Sequence, residues 1–147
     1  MTIDEIIQSR FESSQMRALV NLRYTSNFLS MISNSFMAKY ELTMPQFNIL
    51  RILRGAGAEM AVNTIKERMV EKSPNTTRLM DKLIAKGLIS RARCEDDRRV
   101  VFVKITPQGL ALLAELDVVL KQVDIFPCHL SEQEADMLSE LLDKLRG

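Results

Sequence analysis

Apolar residues near the start of the chain recur at helical spacing: Ile3, Ile6 and Ile7, then Leu19, Leu22, Phe28, Leu29, Ile32 and Phe36, through to about Tyr40. Thr2-x-x-Glu5 is a capping-box signature, and the pattern reads as one long helix or as two with a break near Ser13-Ser14. Thr43-x-x-Gln46, with Pro45 in the first turn, opens a helix carrying Phe47, Ile49, Leu50, Ile52 and Leu53, which ends at Gly55 or Gly57. Its apolar content predicts a buried core helix. Asn63 is placed to cap a short third helix with Ile65 and Met69 inward and Lys66, Arg68 and Lys72 among its polar positions.

The stretch from Lys72 to Thr106 carries the clearest start and stop signals. Ser73 is a good N-cap, and Pro74 suits the first helical position, where its missing N–H has no intrahelical partner to lose. Leu79, Met80, Leu83 and Ile84 fall on one stripe with Thr76 at its edge, and Gly87 stands where a left-handed cap ends the helix. The opposite face carries Pro74, Asn75, Arg78, Asp81 and Lys82, with Thr77 on the border. Val100 to Thr106 is a strand by composition and pairs most simply with Leu88 to Cys94 as a hairpin around Glu95-Asp96-Asp97-Arg98-Arg99. Short helix, turn, helix and hairpin in this order predict a winged helix-turn-helix.

After the hairpin, Thr106-Pro107 restarts a helix with Leu110, Leu113, Leu116, Val119, Leu120 and Val123 on one side, running to about Phe126-Pro127. Ser131-x-x-Glu134 then opens a last helix with Leu138, Leu141, Leu142 and Leu145 as a leucine stripe. The fold class is mainly α with a small β-hairpin wing. The two closing stripes fit either an isologous interface with a second copy or an intramolecular bundle with the first helix.

The formal net charge of +1 would not by itself suggest nucleic acid. Its distribution does: residues 1–61 hold 6 Lys/Arg and 5 Asp/Glu, residues 62–106 hold 11 and 6, and residues 107–147 hold 3 and 8. The positive charge is therefore concentrated in the segment that the apolar pattern reads as a winged helix-turn-helix.

Lys86-Gly87-Leu88-Ile89, then Arg91, then Asp97-Arg98-Arg99, Val100 to Lys104 and Ile105-Thr106 resemble the DNA-binding core of the MarR family of bacterial winged-helix transcriptional regulators. Ile105 stands where the family pattern has Leu. The resemblance implies one domain over 1–147, with residues 1–40 and 107–147 as a helical dimerisation lobe and residues 43–106 as the winged helix-turn-helix lobe. It further implies a homodimeric repressor on a pseudo-palindromic duplex, released by a small aromatic or lipophilic effector seated between the lobes. Met16, Met31, Met37 and Met44 near that crevice would suit an adaptable pocket, and core filling explains them as well.

For DNA, basic contacts to phosphate supply salt-dependent affinity, and a few side chains read base edges in the major groove. Arg78 can donate two hydrogen bonds to guanine and Asn75 can serve adenine in the same way. Ser73, Thr76, Thr77 and Lys82 complete the expected helix contacts, although Thr76 reads equally as core. Arg98 and Arg99 at the wing tip suit the adjacent minor groove, and the family resemblance implies that Asp97 pairs with Arg99 and orients it. Asp81 would repel phosphate, so a neighbouring cation is its expected partner.

An enzyme reading has little support. One histidine, His129, leaves no Cys/His or Ser/His pairing, and there is no phosphate-cradling glycine loop, metal-ligand spacing or implied cofactor. Cys94 and Cys128 are too few for a disulfide framework and read as free thiols. No apolar run approaches membrane-spanning length, and Asp4 and Glu5 are unlike a signal peptide, so a cytoplasmic location is expected. Two rivals keep the same fold: a protein-interaction module that does not bind DNA, and a redox or metal sensor.

Overall fold

The computed structural model describes residues 1–71, 75–93, 100–122 and 129–147. The first helical pattern is two helices. In α1 (Ile3–Ile7) the Thr2 hydroxyl accepts from the Glu5 backbone N–H while the Glu5 carboxylate accepts from Thr2 N–H, which closes the expected capping box. A second cap, Ser13, starts α2 (Ser14–Ala38) by accepting from Met16 N–H at 3.1 Å. Arg17 then ties α2 back to α1 by donating to Asp4 at 2.7 Å. Within α2 only Ser33, Phe36 and Met37 are buried, so its last turns join the core and most of its length faces outward.

α3 (Met44–Ala56) is the central core helix. Thr43 and Gln46 form its capping box, Pro45 sits in its first turn, and Gly57 ends it at a φ of 65°. A two-residue strand, β1 (Met60–Ala61), follows, and it had no signal in the sequence. α4 (Val62–Arg68) has Ala61 as its N-cap, with no side-chain cap bond, which corrects the placing of Asn63 as cap: Asn63 is inside the first turn.

α5 (Thr76–Ala85) begins at Thr76 with Asn75 as its N-cap. This corrects the expected start at Ser73-Pro74, and residues 72–74 themselves lie outside the described residues. β2 (Ile89–Arg93) and β3 (Val101–Ile105) pair antiparallel, with Arg91 opposite Val103. β1 lies along the other edge of β3, with Met60 opposite Val103, giving the order β1-β3-β2. α6 (Pro107–Gln122) and α7 (Glu132–Arg146) complete the described chain. The expected end of α6 near Phe126-Pro127 falls in residues 123–128, outside the described residues.

Leu50 and Leu53 of α3, Ile65 of α4, Leu83 of α5, Val103 of β3 and Leu113 and Leu116 of α6 are all fully buried in one cluster. Each such side chain contributes roughly 1.5–3 kcal/mol of apolar transfer free energy, so the sheet and the helices α4, α5 and α6 are fastened to α3. α7 has no buried residue. Met137, Leu138, Leu141 and Leu145 remain exposed along it, as do Met16, Leu19, Leu22, Phe28 and Leu29 along α2.

Candidate nucleic-acid interface

α5 is held by its buried face and by its end. Met80 and Leu83 are buried, with Leu79 and Ile84 half-buried beside them, as the stripe predicts. At the C-terminus Gly87 adopts a φ of 71°; its N–H donates to the Ile84 carbonyl and Leu88 N–H donates to the Leu83 carbonyl, the two bonds of a Schellman cap. Thr106 secures the same turn from the start of α6: its hydroxyl donates to the Gly87 carbonyl at 2.6 Å and accepts from Gly109 N–H at 3.1 Å. Lys86 donates to the Glu41 carbonyl in the turn between α2 and α3. A helix pinned at this end presents its outer face at a fixed angle.

That outer face carries Asn75, Thr77, Arg78, Asp81 and Lys82, all exposed. Thr76 is not among them. At 1% exposure its side chain belongs to the packed interior of the helix-turn-helix, which corrects its expected contact with DNA: the stripe is one position wider than its apolar residues indicate. Ser73, Asp97, Arg98 and Arg99, together with Cys94 and Cys128, lie outside the described residues.

Asp81 has the expected cationic partner, and it comes from the wing. Arg91 on β2 donates from Nη2 to Asp81 Oδ1 at 2.6 Å. The family pattern singles out Arg91, but nothing local in the sequence names its partner on the helix. Between α4, α5 and the hairpin lies a crevice of about 310 Å³, whose polar lining is Asn63, Thr77 and Arg91 with Val62 and Val101 beside them. The outer face of α4 adds Arg68, with Lys66 half-buried next to it. Among the described residues of α4, α5 and β2, cations therefore outnumber acids, and Asp81 is already paired.

The four methionines expected near an effector crevice are not alike. Met37 is buried in the core at 2% exposure, Met44 is packed against it, and Met16 and Met31 are exposed on α2. A hollow of about 510 Å³ between α1 and α2 is lined by Ile3, Ile6, Arg17, Asn21 and Tyr24 and by none of those four. No helix among the described residues is long and apolar enough to cross a membrane.

A profile of the MarR family matches residues 42–101, the span from the start of the core helix to the second wing strand. The HTH-type transcriptional regulator MhqR of Bacillus subtilis (strain 168) is 31% identical over 122 residues, which cover 76% of this chain and 77% of that one. The crystal structure of a MarR transcription factor from Planctomyces limnophilus matches at 34% identity and a TM-score of 0.68, covering 93% of this chain and 98% of the other. A mutant MarR from E. coli, crystallised in complex with operator DNA, shares the fold at a TM-score of 0.77 and 23% identity, over 92% of this chain and 99% of its own. With the helix-turn-helix, the paired wing strands and these relatives together, the chain belongs to the MarR family of winged-helix transcriptional regulators.

Proposed function

We propose that the chain acts in the cytoplasm as a homodimer on duplex DNA, each α5 entering the major groove of one half-site of a pseudo-palindromic operator. The observation that carries this reading is the outer face of α5, where Arg78 and Lys82 stand exposed with Asn75 and Thr77 while Asp81 is neutralised by Arg91. In this arrangement Arg78 and Asn75 read base edges, Thr77 and Lys82 meet phosphate, and Arg98 and Arg99, oriented by Asp97, extend the contacts together with Ser73. Residues 43–106 form the DNA-binding lobe. As a member of this family the protein is a regulator and not an enzyme.

Residues 1–40 and 107–147 form the dimerisation lobe in this reading. α7 is a helix of 15 residues with no buried side chain, and an isolated helix of that length is marginal in water. Its stripe of Met137, Leu138, Leu141 and Leu145 and the exposed apolar residues of α2 call for a cover, and a second copy supplies an identical pair of surfaces. The resemblance adds repression as the output, with release by a small aromatic or lipophilic effector.

Fluorescence anisotropy on the duplex upstream of the protein's own gene, against a scrambled duplex and at two salt concentrations, tests the central claim. Salt-sensitive binding with a preference for the native duplex is expected. Equal weak binding to both, or none by a folded dimer, would favour the interaction-module alternative.

A further inference from the structure

Arg54, in the last turn of α3, and Asp117, on α6, are separated by 63 positions in sequence and meet as a two-pronged pair. Nη1 donates to Oδ2 at 2.5 Å and Nη2 to Oδ1 at 3.2 Å. Such a fork is directional, because both bonds are kept only over a narrow range of relative rotation. The buried part of the seam between these helices is aliphatic, with Leu50 and Leu53 facing a cluster that includes Leu113 and Leu116. Ridge-into-groove packing of such side chains sets a preferred crossing angle, but with a scatter of roughly 15–20°. The fork therefore narrows an angle that the apolar seam sets only loosely.

Its place in the chain gives that constraint a consequence. α3 opens the DNA-binding lobe and α6 returns to the dimerisation lobe. The other ion pairs among the described residues, Arg17–Asp4, Arg91–Asp81 and Arg146–Asp143, each stay within one lobe. Both partners of the cross-lobe pair are part-exposed, at 33% and 43%, so it adds little to global stability. A surface pair of that kind acts through geometry more than through energy.

We propose that Arg54 and Asp117 are a positioning pair which fixes the angle of each DNA-binding lobe on the dimer, and thereby the half-site spacing that the dimer prefers. This rests on the dimeric DNA-binding reading above. Neither residue lies on α5 or on the paired wing strands. Because α5 is carried on α3 at a distance from this seam, a small rotation between α3 and α6 becomes a displacement of the recognition helix along the groove.

The test begins with a duplex chosen by in vitro selection against the parent protein, together with forms whose centre is lengthened or shortened by one or two base pairs and a duplex holding a single half-site. Anisotropy gives the affinities, and light scattering gives the mass of the free protein. Arg54→Gln and Asp117→Asn are expected to remain dimeric and to bind the single half-site as the parent does, yet to lose about five-fold or more of the preference for the selected spacing. The exchanged pair, Arg54→Asp with Asp117→Arg, should recover much of it. Variants that keep the parent's spacing preference overturn the proposal, as does a uniform loss on every duplex or an exchanged pair as defective as the singles. A parent that is monomeric, or indifferent to spacing, overturns the dimeric reading and this proposal with it.

Discussion

Arg91 of β2 donates to Asp81 of α5 at 2.6 Å, joining the wing to the recognition helix on the surface proposed to meet DNA. An unpaired carboxylate there would repel phosphate, and an unpaired arginine would add positive charge with no fixed direction. Paired, the two set the wing's angle against the helix. Asp81→Asn and Arg91→Gln are each expected to weaken binding to the selected duplex, with the double variant no worse than the weaker single. Since both side chains are 42–56% exposed, unfolding free energy should change by less than about 1 kcal/mol. Strictly additive losses in affinity would refute the coupling.

Three glycines should respond to alanine in different ways. A Cβ on Gly109 would come within 2.3 Å of the Leu88 carbonyl oxygen and 2.8 Å of Ile105 Cγ1, where backbone cannot give way cheaply. Gly109→Ala should cost about 2–4 kcal/mol and disturb the turn that ends α5. Gly87, at a φ of 71° with Gln108 Oε1 at 3.1 Å from a built Cβ, should cost about 1–2 kcal/mol. Gly55 lies inside α3 with open space around it, so alanine there should stabilise by about 0.5–1 kcal/mol. Urea unfolding of the three variants reads the order directly; a destabilised Gly55→Ala or a neutral Gly109→Ala would contradict it.

Much of this fold is carried by local signals. Thr2, Thr43 and Ser131 each cap a helix through a partner three residues on, and Gly57 and Gly87 end helices in the left-handed conformation that glycine adopts freely. These bonds close within a few residues, so the chain spells them out. β1 exists only because Met60 and Ala61 pair with Val103 and Phe102, far along the chain, and two residues hold no periodicity to read. Thr76 was ambiguous for a similar reason: the same hydroxyl suits a groove or a core, and packing from other elements decides. Asp81 called for a cation, yet which one depends on how the hairpin folds back. The pairing of Arg54 with Asp117 had no local sign at all.

Arg78 and Lys82 stand one turn apart on the outer face of α5 and should fail in different ways. Arg78→Ala is expected to relax base preference at one position, a loss of about 1–3 kcal/mol of discrimination. Lys82→Ala should weaken binding evenly across sequences and reduce the salt slope by about one phosphate contact. Affinities on a panel of single-base variants at several salt concentrations separate the two, and an identical profile for both would remove the division of roles.

Leu138 and Leu141 lie on the exposed stripe of α7, and no residue of that helix is buried. Charging such a stripe should not unfold a monomer that leaves it bare, but it should abolish an interface that covers it. Leu138→Glu with Leu141→Glu is therefore expected to halve the mass in sedimentation, to reduce helical ellipticity as α7 frays, and to weaken operator binding as the two half-sites cease to be engaged together. A variant that stays dimeric would place the interface elsewhere.

The hydrogen bond from Arg54 holds the Asp117 carboxyl below the usual carboxylate range; the nearby charges of Arg54, Lys121 and Arg51 act the same way, and burial opposes them. A value depressed in the folded state contributes stability that is fully present above the unfolded value of about 3.9 and is lost as pH falls through the folded one. The difference in stability between the parent and Asp117→Asn should therefore be level from neutral pH down to about pH 5 and should close only in stronger acid. Urea titrations across that range measure it, and a difference that changes near pH 6–7 would mean that another group governs the seam. Because the carboxylate stays charged throughout the physiological range, the pair is a fixed brace there. The spacing preference it sets should be the same at pH 6 and pH 8.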